Sequence, residues 1–348
     1  MSEILKRARS ERGWSQQELA HKAGISRAEV SAVENARLSP SIATGLALAR
    51  ALGRTVEDLF AAPEAGEAAW AFAPRAKSGR FWESRVGDRT LLFPVEPTPV
   101  GVVPHDGTYD ESGVLQRERT GFEDTMVIAG CDPAVGLLSS ELRRVEGLRV
   151  LPLARGSREA LALLKRGLVH AAGVHWFSEG RRDANASVVA SAAGPGYALL
   201  HLARWQEGVA LSPSIRARST SVLARSRIRW VGREEGSGAR KCLDRLLGRG
   251  RESKRFRHVA FDHRGVAQAI AGGWADAGVA VRLAAEEAGL GFLSVQQEDY
   301  ELCVADRLRS DRAILALGRA LRSGALRKLY CDLPGYDPRR MGEERVVG

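Results

Sequence analysis

The chain has 348 residues, more than one typical domain, so we expect two or three domains. Its 44% hydrophobic and 27% charged residues suit a soluble globular protein that can build a sizeable core. The formal net charge of +10 favours a polyanionic partner such as DNA, or reflects only an arginine-rich solvated surface. Widely spaced cysteines without a C-x-x-C pair argue against a zinc site or a disulfide scaffold: Cys131, Cys242, Cys303 and Cys331.

A membrane span and a signal peptide are both unexpected. The longest uncharged stretch, residues 184–203, contains Asn185 and is broken at Gly194-Pro195-Gly196. The first twelve residues are charged and helical in pattern rather than signal-like. We therefore expect a cytoplasmic protein.

The first sixty residues predict a series of short helices. A helix ends at Gly13, and Ser15 with Glu18 forms a capping box that begins the second helix. Gly24 turns the chain, and Ser26 caps a third helix over Arg27–Glu34. Two more helices are predicted around 41–52 and 56–60, with these core candidates: Leu46, Leu48, Ala49 and Leu52.

Two short helices joined by a glycine turn can place the second helix in a DNA major groove. The pattern resembles the Cro/repressor (XRE) family at Ser15-Gln16-Gln17-Glu18-Leu19-Ala20, Gly24-Ile25-Ser26, Val30-Ser31, Glu34-Asn35, Pro40 and Leu46. The resemblance implies an all-α DNA-binding domain over residues 1–63. A small helical bundle that makes only protein contacts is the alternative.

The resemblance also implies which residues contact DNA. Arg27, Ala28 and Ala32 fall where the family reads base edges, and Ser31 faces either a base or a phosphate. Because alanine can touch only a thymine methyl, Arg27 carries most of the hydrogen-bonded readout. The remaining expected contacts, chiefly to the phosphate backbone, are Gln16, Gln17, Ser26, Asn35 and Arg37.

Residues 64–121 change character, from an alanine-rich linker to short β-type runs. Residues 90–93 and 100–103 are such runs, interspersed with prolines. We expect a small strand-rich connector packed on a neighbour. His105-Asp106 has the residue types of an acid/base or metal pair, but we interpret it as a surface turn.

From Asp124 onward, strands and helices alternate, which predicts a doubly wound α/β domain. The candidate ligand-binding residues of this domain lie mainly at two strand-to-helix turns, residues 130–133 and 236–240. A helix N-terminus offers free backbone amides and the positive end of its dipole, so both turns are candidate anion sites. The glycines beside Ser237 are equally typical of an ordinary tight turn.

This half resembles the periplasmic-binding-protein-like domains, related to molybdate-binding proteins, that are fused to Cro-type regulators. The resemblance rests on residues 129–134, 172–175, 204–208, 236–240 and 275–278. It implies a two-lobed α/β fold of type II over residues 122–337, whose chain crosses twice between lobes around a cleft. We expect residues 338–348 to form a mobile tail. Cys131 departs from the serine of true molybdate receptors, and a thiol is a poorer hydrogen-bond donor.

The predicted ligand-binding residues lie at strand ends and turns. We expect the Asp132 side chain to turn back as a helix cap, because a carboxylate in the cleft would repel an anion. A structural role remains the alternative for His175 and for Tyr300. The full set is Cys131, Asp132, His175, Gly236, Ser237, Gly238, Ala239, Arg240, Asp276 and Tyr300.

The sequence thus predicts a homodimeric, ligand-responsive transcription regulator that binds an operator in double-stranded DNA. The effector is a small anion, with molybdate or tungstate as the best single choice. We expect no cofactor, no metal and no membrane partner. The alternatives are an enzyme acting on an acidic or phosphorylated substrate, although no Ser/His/Asp set is evident, and a DNA-bound tether whose α/β half binds another protein.

Overall fold

A computed structural model describes residues 2–34, 38, 40–56, 59, 68–118, 124–177, 184–248 and 256–348. The chain divides into two compact units, Met1–Ala68 and Ala69–Gly348. Within the described residues, no helix is both long enough and apolar enough to cross a membrane.

The first unit is helical: α1 (Ser2–Glu11), α2 (Gln16–Ala23), α3 (Arg27–Glu34) and α4 (Ile42–Leu52). The predicted capping box begins α2, where the Ser15 backbone donates to Glu18 at 2.6 Å and the Glu18 amide donates to the Ser15 hydroxyl. Gly24 ends α2 in the left-handed conformation that glycine adopts without strain. The predicted helix around 56–60 lies largely outside the described residues.

The core of this unit is built from apolar residues at helical spacing. The buried members are Leu5, Ala8, Leu19, Ala20, Val30, Val33, Leu48, Ala49, Leu52 and Leu59. Leu46, predicted to be a core residue, is exposed. It lies on the face of α4 opposite the buried pair Leu48 and Leu52, so the prediction for this position is wrong.

The second unit opens with a five-stranded sheet: β1 (Ala69–Trp70), β2 (Gly79–Val86), β3 (Arg89–Pro94), β4 (Gly107–Tyr109) and β5 (Leu115–Arg117), in the order β1-β3-β2-β4-β5. Its apolar side joins the main core of the unit. Arg149 fixes this contact by pairing with Asp106 at 2.6 Å. The strand-rich segment is therefore an integral layer of the second unit.

The larger sheet contains ten strands. Eight follow the order β11-β10-β12-β9-β13-β8-β6-β7, and the last two pair with β9. Their bounds are β6 (Thr125–Gly130), β7 (Arg149–Ala154), β8 (Ala171–Val174), β9 (Tyr197–Leu211), β10 (Trp230–Arg233), β11 (Val259–Ala260), β12 (Ala277–Val281), β13 (Gly291–Ala305), β14 (Tyr336–Asp337) and β15 (Glu344–Val347).

Two 15-residue strands, β9 and β13, divide this sheet into two lobes. The first lobe contains the parallel strands β6, β7 and β8, which join the carboxyl end of β13 at residues 301–304. The second lobe contains β10, β11 and β12, which join the end of β9 at residues 207–211. The predicted two-lobed α/β fold with two crossings is confirmed.

Nine helices of the second unit, within the described residues, cover this sheet. They are α5 (Val135–Glu146), α6 (Ser157–Lys165), α7 (Ala184–Ala193), α8 (Thr220–Arg225), α9 (Gly238–Leu247), α10 (His263–Ala271), α11 (Arg282–Glu287), α12 (Arg312–Leu321) and α13 (Gly324–Cys331). In each lobe, helices follow the carboxyl ends of parallel strands, so their N-termini begin where the lobes meet.

The C-terminal segment belongs to the sheet. Strand β15 pairs with residues 197–200 of β9, and the side chains of Met341 and Val347 are buried. Arg345 also pairs with the buried Glu301 at 3.0 Å. The mobile tail predicted over 338–348 is therefore wrong: strand pairing with β9 and the burial of Met341 and Val347 hold this segment to the sheet.

Candidate functional site

The predicted DNA-reading surface lies on α2 and α3. Arg27, Ala28, Gln17 and Ser26 are exposed, and Ser31 and Ala32 are half-buried. The Ser26 hydroxyl accepts from the Glu29 amide at 3.1 Å and so caps α3 as predicted. The other two predicted contacts, Asn35 and Arg37, lie outside the described residues.

The Gln16 side chain points toward the interior of the helical unit. Its amide donates to the buried Glu34 at 2.8 Å, and Arg9 pairs with the same carboxylate at 2.6 Å. Glu34 is the last residue of α3, so this network ties the start of α2 to the end of the predicted reading helix. A phosphate contact by Gln16 would require the side chain to leave Glu34.

A buried polar cluster lies where the two lobes of the second unit meet. Cys131 follows β6 and His175 follows β8, and these neighbouring parallel strands end at the same edge. The Cys131 Sγ lies 3.2 Å from His175 Nε2, and His175 Nδ1 lies 2.6 Å from a carboxylate oxygen of Glu298. A nucleophilic side chain, a base and a carboxylate that orients the base are therefore aligned.

Glu298, on the crossing strand β13, is held from several sides. Its other oxygen accepts from the Gln296 amide at 2.7 Å, and the same Gln296 nitrogen donates to Glu207 of β9. The carbonyl of Gln296 accepts from Arg245. The indole of Trp205 lies 3.4 Å from Glu298. Both crossing strands thus contribute side chains to one buried network.

The second lobe contributes Arg233, at the end of β10, and His263, the first residue of α10. Both side chains are 1% exposed. The Arg233 guanidinium and the Val281 amide each lie 3.3 Å from His263 Nδ1. Because both are donors, we assign the proton of neutral His263 to Nε2. Within the described residues that Nε2 has no hydrogen-bond partner, so it presents an unsatisfied donor.

Burial and charge act oppositely on the two histidines. Burial alone would lower the pKa of His175, but Cys131 and Glu298 outweigh it and raise that pKa well above its ordinary value. Burial, together with the charges of Arg233 and His175, lowers the pKa of His263 far below the usual range. His175 is therefore an imidazolium beside Cys131, and His263 is neutral.

Glu207 is a buried acid that holds a proton. Burial and the negative charge of Glu298 raise its pKa to about 8, against an ordinary value of 4.5. Its second carboxyl oxygen has no partner within the described residues. Within the described residues, the cluster therefore contains two unsatisfied polar atoms, His263 Nε2 and Glu207 Oε1.

Tyr300, a predicted ligand residue, packs against the first turn instead of an open cavity. A Cβ at Gly173 would lie 2.5 Å from the Tyr300 Cζ and still closer to its hydroxyl, and a Cβ at Gly130 would also meet that hydroxyl. The backbone amides of Asp132 and Cys131 hydrogen-bond to the phenol. The backbone amides of the first turn therefore donate to Tyr300 rather than to a ligand in the cleft.

Asp132 is turned away from the centre of the cluster. Its carboxylate accepts from the Ala134 amide at 2.9 Å, just before α5, and from the hydroxyls of Tyr336 at 2.7 Å and Tyr330 at 3.2 Å. Burial raises its pKa, although these hydrogen bonds oppose the rise. The Asp132 carboxylate is thus hydrogen-bonded by nearby groups and does not project into the cluster, where it would repel an anion.

The second turn approaches His175 through its backbone. A Cβ at Gly238 would lie 3.0 Å from His175 Cε1, so glycine permits this contact, and the adjacent Ala239 is buried. Gly236 takes positive φ, and the Ser237 hydroxyl caps α9 by accepting from the Arg240 amide at 3.1 Å. The two predicted turns therefore converge on one histidine.

Two predicted ligand residues are not brought to the cluster. The Arg240 side chain pairs with Asp244 at 2.8 Å and lies over the ring of Phe256. Asp276 precedes β12 and pairs with Arg229 at 2.7 Å, at the strand end opposite the carboxyl edge where ligands bind. The side chain of Arg240 is occupied beside its helix, and Asp276 lies at the wrong end of its strand.

Cys131, His175 and His263 offer ligand atoms within 4.8 Å of one another, which is a suitable spacing for a metal. The surrounding hydrogen bonds oppose this use. His263 presents N–H rather than a lone pair, and the Arg233 guanidinium beside it would repel a dication. The arrangement fits an electron-rich ligand atom better than a cation.

A groove of about 460 Å³ opens beside Pro133 of the first turn, between residues of α5 and residues of α10 and α11. Its two charged residues, Arg264 and Glu287, pair with each other at 2.6 Å. The rest of its lining is largely apolar and includes Pro99, Val100, Pro133, Ala134, Leu137, Leu283 and Leu333. With its positive charge neutralised, the groove suits an anion less well than the cluster does.

Five residues that complete the cluster were not predicted from the sequence: Arg233, His263, Glu207, Gln296 and Glu298. The crossing strands were absent from the predicted elements, so their polar side chains had no assigned position. One usable signal existed. Arg233 lies just after an apolar strand-like run, as His175 does, and in both lobes the carboxyl ends of the parallel strands face the junction of the lobes.

Two family models match the chain. A PBP superfamily domain matches residues 139–322, and a helix-turn-helix model matches residues 5–59. The uncharacterized protein YvgK of Bacillus subtilis (strain 168) is 24% identical over 237 residues, which cover 66% of this chain and 76% of that protein. The helix-turn-helix match falls in the first compact unit and the PBP match in the second.

Two further likenesses concern one unit each. An uncharacterized HTH-type transcriptional regulator of Methanothermobacter thermautotrophicus is 40% identical over 67 residues, which cover 19% of this chain and 97% of that protein. A putative phosphate ABC transporter substrate-binding protein from Clostridium perfringens, solved with bound phosphate, has a TM-score of 0.47 at 10% identity. It covers 60% of this chain and 96% of that structure.

Proposed function

The chain belongs to the PBP superfamily and carries an XRE-type helix-turn-helix domain, and on this premise we propose that it is a transcription regulator controlled by a small anion. The helix-turn-helix unit binds an operator, and a homodimer reads two half-sites. The effector binds between the lobes. Molybdate or tungstate remains the best single choice for its identity.

The observation that carries the proposal is the unsatisfied donor at the junction of the lobes. His263 Nε2 is buried without a partner in the described structure; the same ring contacts the Arg233 guanidinium through Nδ1, and its centroid lies 6.2 Å from that of the His175 ring. The first lobe supplies His175, and the second supplies His263 and Arg233. An anion here would contact both lobes, and so would favour the closed form by its higher affinity for it.

The ligand test compares two arginines of one strand. Arg233 ends β10 inside the cluster, whereas Arg229 precedes the strand and pairs with Asp276. We expect sodium molybdate, tungstate or phosphate to raise the melting temperature of the wild type and of Arg229→Met, but not of Arg233→Met. Equal stabilisation of both variants would place the anion elsewhere.

The regulatory test uses duplexes selected from a random pool by the full chain. Fluorescence anisotropy would measure operator affinity with and without the stabilising anion. By reciprocity, the anion should change operator affinity by the factor by which the operator changes anion affinity, typically about 5–150-fold. Identical titrations at saturating anion would support the tether alternative, in which the α/β unit binds another protein.

A further inference from the structure

The Cys131–His175–Glu298 alignment has a chemical consequence that anion binding does not use. Cys131 Sγ lies 3.2 Å from His175 Nε2, and the imidazole is oriented through Nδ1 by Glu298 at 2.6 Å. A thiolate beside an imidazolium is the reactive form of cysteine. A ring nitrogen of His263 lies within 4.8 Å of the sulfur, and the Nε2–H of that ring has no partner within the described residues, so His263 can add a second donor.

We propose that Cys131 is an oxidation site at which a small hydroperoxide converts its side chain to a sulfenic acid. The inference is independent of the proposed regulatory role, since it needs neither DNA nor an anionic effector.

The step balances with groups that are present. The Cys131 thiolate attacks one oxygen of the hydroperoxide, so an S–O bond forms as the O–O bond breaks. The sulfur loses two electrons and the peroxide gains them. The departing oxygen takes the proton from His175 Nε2 and leaves as water or an alcohol. Glu298 holds the imidazole throughout, and His263 Nε2–H donates to the oxygen that remains on sulfur.

The size of the site selects this class of oxidant. Cys131 is 7% exposed, and His175 and His263 are 2% and 1% exposed. A hydroperoxide group has only two heavy atoms, so it can reach the sulfur with little opening of the lobes. Larger electrophiles would have to separate the two lobes to approach Cys131.

The other cysteines provide an internal comparison. Burial raises the pKa of Cys303 to about 12 and raises the pKa of Cys242 strongly, so both remain protonated thiols. Cys331 is exposed. Accessibility alone would make Cys331 react first, whereas activation by the neighbouring His175 would make Cys131 react first.

The experiment treats the reduced full chain with limiting hydrogen peroxide at pH 7 and traps sulfenic acid with dimedone. Peptide mass spectrometry then gives the labelling rate of each cysteine. We expect Cys131 to be labelled roughly 10-fold or more faster than Cys331. Faster labelling of Cys331 would overturn the proposal without any variant.

A matched pair of variants tests the role of Glu298 as a positioning residue. Glu298→Gln should slow Cys131 labelling by roughly 10-fold or more, because the imidazolium loses its carboxylate. Glu301→Gln alters an equally buried glutamate of β13, which contacts Asn185 and Arg345 instead. This control should label at the wild-type rate. Equal rates in both variants, at matched melting temperatures, would contradict the mechanism.

The competing occupant of the same atoms is a metal ion. Elemental analysis of the purified full chain, beside Cys131→Ser, distinguishes the two. We expect no stoichiometric metal in either protein. One equivalent of zinc or copper that is lost in Cys131→Ser would make the sulfur a ligand and overturn the oxidation site.

Discussion

Replacing Gly173 by alanine tests the packing that holds the cluster together. Gly173 lies on β8, and a Cβ there would lie 2.5 Å from the Tyr300 Cζ and closer still to its hydroxyl. Ordinary contact between such atoms needs about 3.5 Å or more, so the phenol must move by roughly 1 Å or more. Tyr300 is 2% exposed and has little space to move into.

The expected loss has two parts. Overpacking a core of this kind costs about 1–3 kcal/mol. Displacing the phenol also weakens its hydrogen bonds from the backbone amides of Asp132 and Cys131, worth about 0.5–1.5 kcal/mol each. We therefore expect Gly173→Ala to destabilise the second unit by about 2–6 kcal/mol. Each kcal/mol lowers Tm by about 2–4 °C in a domain of 150–250 residues.

The assay is thermal unfolding by circular dichroism with a matched control. Gly291→Ala places a Cβ 3.5 Å from Leu211, an ordinary contact, and should leave the midpoint nearly unchanged. Adding Tyr300→Phe to Gly173→Ala removes the closest contact and should recover part of the loss. Equal midpoints for Gly173→Ala and Gly291→Ala would refute the packing argument.

Three further predictions concern DNA binding, pH and the C-terminal strand. Arg27→Ala should cost about 1–3 kcal/mol on a selected operator by anisotropy, whereas Gln16→Ala should weaken all duplexes alike; unchanged selectivity in Arg27→Ala would contradict the docking mode. Glu207 has a folded pKa of about 8, above its ordinary 4.5, so the unfolded chain releases a proton that the folded chain keeps. The free energy of unfolding of the wild type then falls as pH rises from about 4.5 to 8, so the stability of Glu207→Gln relative to the wild type should rise across that window. If the unfolding free energies of the two proteins change in parallel with pH, the raised pKa of Glu207 is contradicted. Deleting residues 341–348 removes β15 and the buried Val347, worth about 1.5–3 kcal/mol for that side chain alone, and an unchanged melting temperature would exclude this contribution.

The helix-turn-helix unit was predictable because its signals are local. The capping box at Ser15 and Glu18, the left-handed glycine at position 24 and the Ser26 cap each act within four residues. The buried strands β6 and β8 were also predictable, since a continuous apolar run bounded by turns is typical of a parallel strand. The alternation of such strands with helical segments was sufficient to predict the α/β fold.

The cluster was only partly predictable. Cys131 and His175 follow neighbouring strands, and their ends share an edge. Glu207 and Glu298 lie on the crossing strands, where a polar residue in a period-2 pattern indicates a solvated face as readily as a buried cleft. Arg240 was predicted as a ligand residue from its charge beside a glycine turn. Its guanidinium instead pairs with Asp244, one helical turn along α9.

The hydrogen bonds of Asp132 carry a consequence for synthesis on the ribosome. Its carboxylate is satisfied by Tyr330 and Tyr336, about 200 residues later in the chain. At about 5–20 residues per second, those tyrosines emerge roughly 10–40 s after Asp132. During that interval the first lobe has its strands β6, β7 and β8 but lacks the groups that allow Asp132 to be buried. We therefore expect Asp132 to remain exposed to solvent in the nascent first lobe until Tyr336 arrives.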